Sequence, residues 1–193
     1  MPLGQNLTIG EVIPMRDVVR ISVEVADGLR RSMSRNGIQQ LADFVNGMAF
    51  AGILLQKNYR PEDGPVSFVD TFRKNVSSYT KMMLRPEYDE SRREMMVHRI
   101  GVADMSPTEM LVTAGLSMQE TISTIAEEYG LSAQDVMELV TIVIALAIAA
   151  STPEEKLDIV VSGMSEGITE KTKVWDQLIP SDDEMLGEDD EDY

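Results

Sequence analysis

Carboxylates are the only reactive side chains that this sequence supplies in quantity: thirty-three Asp and Glu stand beside a single His and no Cys. Without Cys there is no disulfide, thiolate metal site or thiol nucleophile, and the redox compartment stays open. Acids could hold calcium, share a proton with a neighbour, or present negative charge to a basic partner. The densest run, SDDEMLGEDDEDY (181–193), fails the calcium test. Counted as a twelve-residue loop from Asp182, it places Leu186 at a ligand position and Tyr193 where the bidentate Glu belongs. Glu127–Glu128 and Glu154–Glu155 fall at helix starts or on exposed faces, where solvation explains them. His98, in MMVHRIG among arginines, reads as a surface or packing residue rather than a base. No GxxxxGK[ST], GxGxxG or GxSxG motif occurs. We therefore expect no catalytic residue, no metal and no cofactor: a protein that binds rather than catalyses.

The net charge of −16 is divided unevenly. Residues 1–100 hold fourteen Lys and Arg against twelve Asp and Glu, a surplus of +2, whereas residues 101–193 hold three against twenty-one, or −18. Such polarity bears on partners and solubility, not on fold. The cations cluster as Arg30, Arg31 and Arg35, then Arg73, Lys74, Lys81 and Arg85, then Arg92, Arg93 and Arg99. Tyr59, Tyr79 and Tyr88 are interleaved, so bases could stack there and phosphates be neutralised. The plainer reading, which we favour, is that these cations balance nearby acids or dock against the acidic second half. The last residues, Asp189, Asp190, Glu191, Asp192 and Tyr193, form a candidate partner-recruiting tail. This tip resembles the C-terminal tips of bacterial and phage single-stranded-DNA-binding proteins, which recruit partners. The likeness stops there, because that family's binding domain is a β-barrel and this chain reads as helical.

One stretch is spelled like a DNA reader. TISTIAEEYGLSAQDVMELV (121–140) has Ala126 in a first helix, Gly130 at a turn and Val136 in a second helix. Yet no Lys or Arg occurs from Gly101 to Glu155. Phosphate contacts dominate DNA affinity, and a recognition helix is normally ringed by cations. Here only Ser132 and Gln134 could meet base edges, while Asp135 and Glu138 would meet a negative field. The expectation is a packing unit, not a reader.

The elements that must position these groups read almost wholly as helix. Val18, Ile21, Val25, Leu29 and Met33 recur every three or four residues, although VVRISVEV also alternates, leaving a strand over Val19 to Val25 as the alternative. Further helices follow in IQQLADFVNGMAFAGILLQ, SFVDTFRKNVSSYTKMML and EYDESRREMMVHRIG. Ser106–Pro107 with Glu109 starts the next. Thr121 to Tyr129 reads as a short helix stopped by Gly130, and Ser132 with Asp135 as a capping box. The helix after it runs to Ala150 and is apolar on nearly every side, as in the centre of a bundle. Thr152-Pro153-Glu154-Glu155 starts the last helix. The apolar run Val140–Ala150 is shorter than the roughly 18–20 residues of a membrane helix. No signal peptide is legible, so the expected setting is cytoplasmic or virion-internal.

We therefore expect a mainly α multi-helix bundle with a helix-turn-helix-like unit and a disordered acidic tail. It divides into an arm (1–16), a helical domain (17–180) and a tail (181–193). Gly47 and Ala51 allow a helix to approach closely, and Met82, Met83, Met95 and Met96 offer adaptable apolar surface, so these six form the candidate interface. The expected function is a non-enzymatic protein-interaction or assembly factor, with a protein partner or further copies of itself. The alternatives are a nucleic-acid-associated regulator acting through the Arg-rich half, and an acidic mimic of DNA.

Overall fold

An uncharged run such as Val140–Ala150 stays away from water only if neighbours cover every side, and the fold is arranged accordingly. The structure, a computed structural model, describes residues 9–33, 41–59, 66–95, 106–175 and 177–179, without the side chains of 28–33 and 110. The described residues form α1 (Ile9–Val12), α2 (Met15–Met33), α3 (Leu41–Asn58), α4 (Phe68–Met83), α5 (Asp89–Met95), α6 (Pro107–Tyr129), α7 (Ala133–Ser151) and α8 (Leu157–Trp175). Short 3₁₀ turns at Pro86–Tyr88 and Glu154–Lys156 lead into α5 and α8. No strand occurs among the described residues.

Ala133 and every residue from Asp135 to Ala149 in α7 are buried. α4 packs most closely on α7, with α3, α2 and α5 completing the wall. α6 lies outside, across α3 and α2, while α8 rests on α4 and α3. By length and composition α7 could cross a membrane, but 89% of its apolar window is buried inside the bundle. That hydrophobicity is spent on the core.

The helix starts follow their local chemistry. At α6, Ser106 N–H donates to Glu109 Oε2 at 2.8 Å and Glu109 N–H donates to Ser106 Oγ at 3.3 Å. Hydrogen bonding from Ser106, its backbone N–H first and its hydroxyl second, holds the Glu109 carboxyl below its usual pKa. Ser132 and Asp135 form the same reciprocal cap at α7. Between the two helices Gly130 is left-handed at φ 62° and ψ 39°. Gly130 N–H donates to Glu127 O and Leu131 N–H to Ala126 O, a Schellman arrangement that closes α6. Beyond this turn each helix has its own principal neighbour, α3 for α6 and α4 for α7, although both also touch α2 and α7 touches α3. A helix sealed in the core cannot lie in a DNA groove.

The favoured helix over Val19 to Val25 forms and the strand alternative falls away: the three-and-four series continues past Val25, and it puts Val18, Ile21 and Val25 in the core. One expectation is corrected. Thr121 to Tyr129 is not a separate short helix but the end of the 23-residue α6. Gly115 lies inside that helix because a Cβ there would come within 2.3 Å of Phe50 Cδ1. Phe50 in turn meets Trp175 edge-on, with ring centroids 5.8 Å apart, so the missing Cβ lets α6, α3 and α8 converge. Residues 9–16 are built into the fold: Ile9 and Ile13 are buried, and α2 begins at Met15. The tail lies outside the described residues.

Gly130→Val should destabilise the fold by about 1–2 kcal/mol, because a β-branched residue adopts the left-handed conformation only with strain. Gly130→Asn should cost clearly less, since Asn enters that region readily. Urea unfolding of the three proteins checks the order.

Candidate interaction site

The basic first half meets the acidic second half within one chain. Arg73 on α4 lines a groove of about 600 Å³ against α8, shared with Asp158, Glu166, Glu170 and Lys173. About two turns further along α4, Lys81 Nζ lies 3.3 Å from Asp158 Oδ1, and Lys81 and Arg85 face Glu154 and Asp158 across a smaller depression. The Lys81–Asp158 pair is exposed, so it sets orientation more than stability. Lys74 and Arg93 are exposed on α4 and α5. Arg92 is turned inward: its guanidinium donates to the carbonyls of Met83 and Arg85 and pairs with Asp89. It caps the end of α4 and is not a free cation. Tyr79 and Tyr88 are buried, which withdraws them as stacking platforms, and Tyr59 is half-buried. The side chains of Arg30 and Arg31, and the whole of Arg35, His98, Arg99 and the tail residues Asp189 to Tyr193, lie outside the described residues.

The expected interface residues belong mostly to the core. Gly47, Ala51, Met83 and Met95 are buried within the chain. A Cβ at Gly47 would stand 3.1 Å from that of Ala114, so the small face of α3 receives α6 rather than another molecule. Met48, Met118 and Met137 are buried as well, filling space that a chain with only four Phe leaves to Met. Met82 is partly buried against the core, and Met96 lies outside the described residues.

Between α4 and α7 runs a polar seam that local pattern does not reveal. Glu138 is 1% exposed, and its Oε2 accepts from the Tyr79 hydroxyl at 3.1 Å and from Ile9 N–H at 3.3 Å. Gln134 Nε2 donates to Thr71 Oγ1 at 3.3 Å and to Glu138 Oε1 at 3.5 Å. Gln134, the residue best suited to read a base, is thus engaged inside the fold. Burial, then the charge of Glu138, their hydrogen bond and the charge of Asp135 push the Tyr79 phenol well above its ordinary pKa of 10.0. Asn75 Oδ1 and Asp135 Oδ1 are buried in the same pair of helices without a donor. Among the described residues no group of three His, Asp or Glu could hold a metal ion.

The surface feature that the interface reading overlooked is the outer side of α8. Leu157, Val161, Ile168 and Trp175 turn inward. Ile159, Gly163, Glu166, Glu170 and Val174, spaced by three and four, form the opposite side and are all exposed. Ile159 is 76% exposed and Val174 58%. A Cβ at Gly163 or Gly167 would meet nothing within 4 Å. Glycine inside a helix costs about 0.5–1 kcal/mol against Ala, and no close contact within this chain requires either one. The signal was present in SGMSEG, where two glycines stand four apart. No family model, curated protein or solved structure matches the chain.

Tyr79→Phe should cost about 1–2 kcal/mol at neutral pH, the loss of one buried hydrogen bond to a charged acceptor. Because the folded phenol keeps its proton above the unfolded value, its contribution is complete below pH 10 and declines as pH rises beyond it. The stability gap between wild type and variant should therefore narrow from pH 7 to pH 11 in paired urea titrations. An unchanged gap would show that the Tyr79 environment is not as described.

Proposed function

We propose that the protein is a non-enzymatic protein-interaction or assembly factor that receives its partner on the outer side of α8. One observation supports this reading: a solvent-facing helix stripe joins Ile159 and Val174 to glycines that leave the backbone open. A partner helix approaches closest over glycine, and the Ile and Val side chains then grip it on either side. Glu166 and Glu170 on the same stripe, in a chain of net charge −16, favour a partner that brings Lys or Arg to this face. Charge sets approach and orientation, while the apolar contacts hold the complex. The groove beside the stripe, with Arg73 and Lys173, adds polar groups at the rim.

The test is to recover the protein with its bound partner from its native source and measure that complex with two variants. Ile159→Lys should weaken partner binding at least tenfold without lowering stability. Gly163→Ala should stabilise the fold by about 0.5–1 kcal/mol and yet weaken binding, because the added methyl removes the close approach. Partner affinity unchanged by both would place the contact elsewhere on the molecule.

A further inference from the structure

α1 is held to the bundle by contacts that any copy of the chain could supply. Ile9 and Ile13, four residues apart, are buried, and α1 packs on α7 and α2. The Ile9 N–H donates to Glu138 Oε2, the oxygen that also accepts from Tyr79, across 129 positions of sequence. A backbone N–H carries no side-chain identity, so what this socket reads is an apolar residue, a second one a turn later, and a free amide. α1 spans four residues, far below the roughly 12–15 that sustain a helix alone, so docking maintains it. Its backbone ladder stops at Pro14. Ile13 N–H donates to Ile9 O on one side, and Asp17 and Val18 N–H donate to Pro14 O on the other. Pro14 has no N–H with which to join the two helices.

We infer that α1 is an exchangeable strap, and that two copies of the chain associate by each placing residues 9–13 in the other's socket. The exchange conserves the contacts, because socket and strap are the same in both copies, and it closes with two-fold symmetry. Only the conformation about Pro14 and the entropy of association differ. Docking within one chain enjoys an effective concentration in the range of about millimolar, so the exchanged form gains as protein concentration rises. This surface is separate from α8, and the inference stands or falls independently of the proposed partner site.

The direct test uses the full chain. In an equal mixture of isotope-labelled and unlabelled protein at high concentration, isotope-filtered NMR should show contacts between Ile9 of one copy and the Tyr79 ring of another. Contacts only within a single copy, at every concentration, would overturn the inference. Pro14→Ala should merge α1 and α2 into one helix, draw the strap from its own socket, and double the solution mass from 21.4 kDa. Adding Ile9→Asp should return that variant to the monomer, whereas Ile159→Lys should leave it dimeric. A monomeric Pro14→Ala protein with the Ile9 amide still protected, or a dimer indifferent to Ile9→Asp, would contradict strap exchange.

Discussion

From Asp135 to Ala149 α7 has no side on which water is tolerated, and the neighbours this demands set the places of the other helices. α4 takes the longest contact, and α3, α2 and α5 cover the rest. α6 packs instead across α3 and α2, although it is joined to α7 by a turn of only a few residues. The sharp turn at Gly130 is what allows two consecutive helices to part in this way. Its left-handed backbone satisfies the last carbonyls of α6 and releases the chain into the Ser132 cap.

A core helix that carries Asp135 and Glu138 must also find donors for them. Asp135 is answered locally at one oxygen only, Oδ2, by Ser132 at the cap. Glu138 is answered from a distance, by Tyr79 on α4, by the backbone of Ile9 and by Gln134 on its own helix. A buried carboxylate without such donors would be strongly unfavourable, so Glu138 ties α1 and α4 to α7 more specifically than apolar packing alone can. The same hub that stabilises the core therefore anchors α1 at Ile9.

These levels were unequally legible in the sequence. Caps depend on residues three or four apart, and so Ser106 with Glu109, Ser132 with Asp135, and Gly130 could be read directly. The central position of α7 followed from its uniform apolarity. Gly47 and Ala51 announced a close approach but not its owner, because small residues fit a neighbour of the same chain as well as a second molecule. Nothing local marked Gly115, since the Phe50 ring that occupies the place of its missing Cβ comes from a helix far away in sequence. The cations were read as clusters along the chain. Their acidic partners on α8 lie across the bundle, as with Lys81 and Asp158, and Arg92 turns back to the end of α4. In the sequence Glu138 reads only as an acid unsuited to DNA, and its burial depends on partners 59 and 129 positions away.

Two helices of similar length thus serve opposite ends. α7 is buried on every side from Asp135 to Ala149, whereas α8 is buried on one side and leaves a stripe with glycines and exposed Ile and Val facing solvent. The division between a sealed α7 and an available α8 is the central claim, and residue-resolved hydrogen exchange on the full-length protein tests it most directly. The account predicts that the amides of α7 from Asp135 to Ala149 exchange slowest, only through global unfolding, and unaltered by added duplex DNA, while α8 opens locally and sooner. Amides of α7 that exchange as fast as those of α8, or that gain protection when DNA is added, would contradict it.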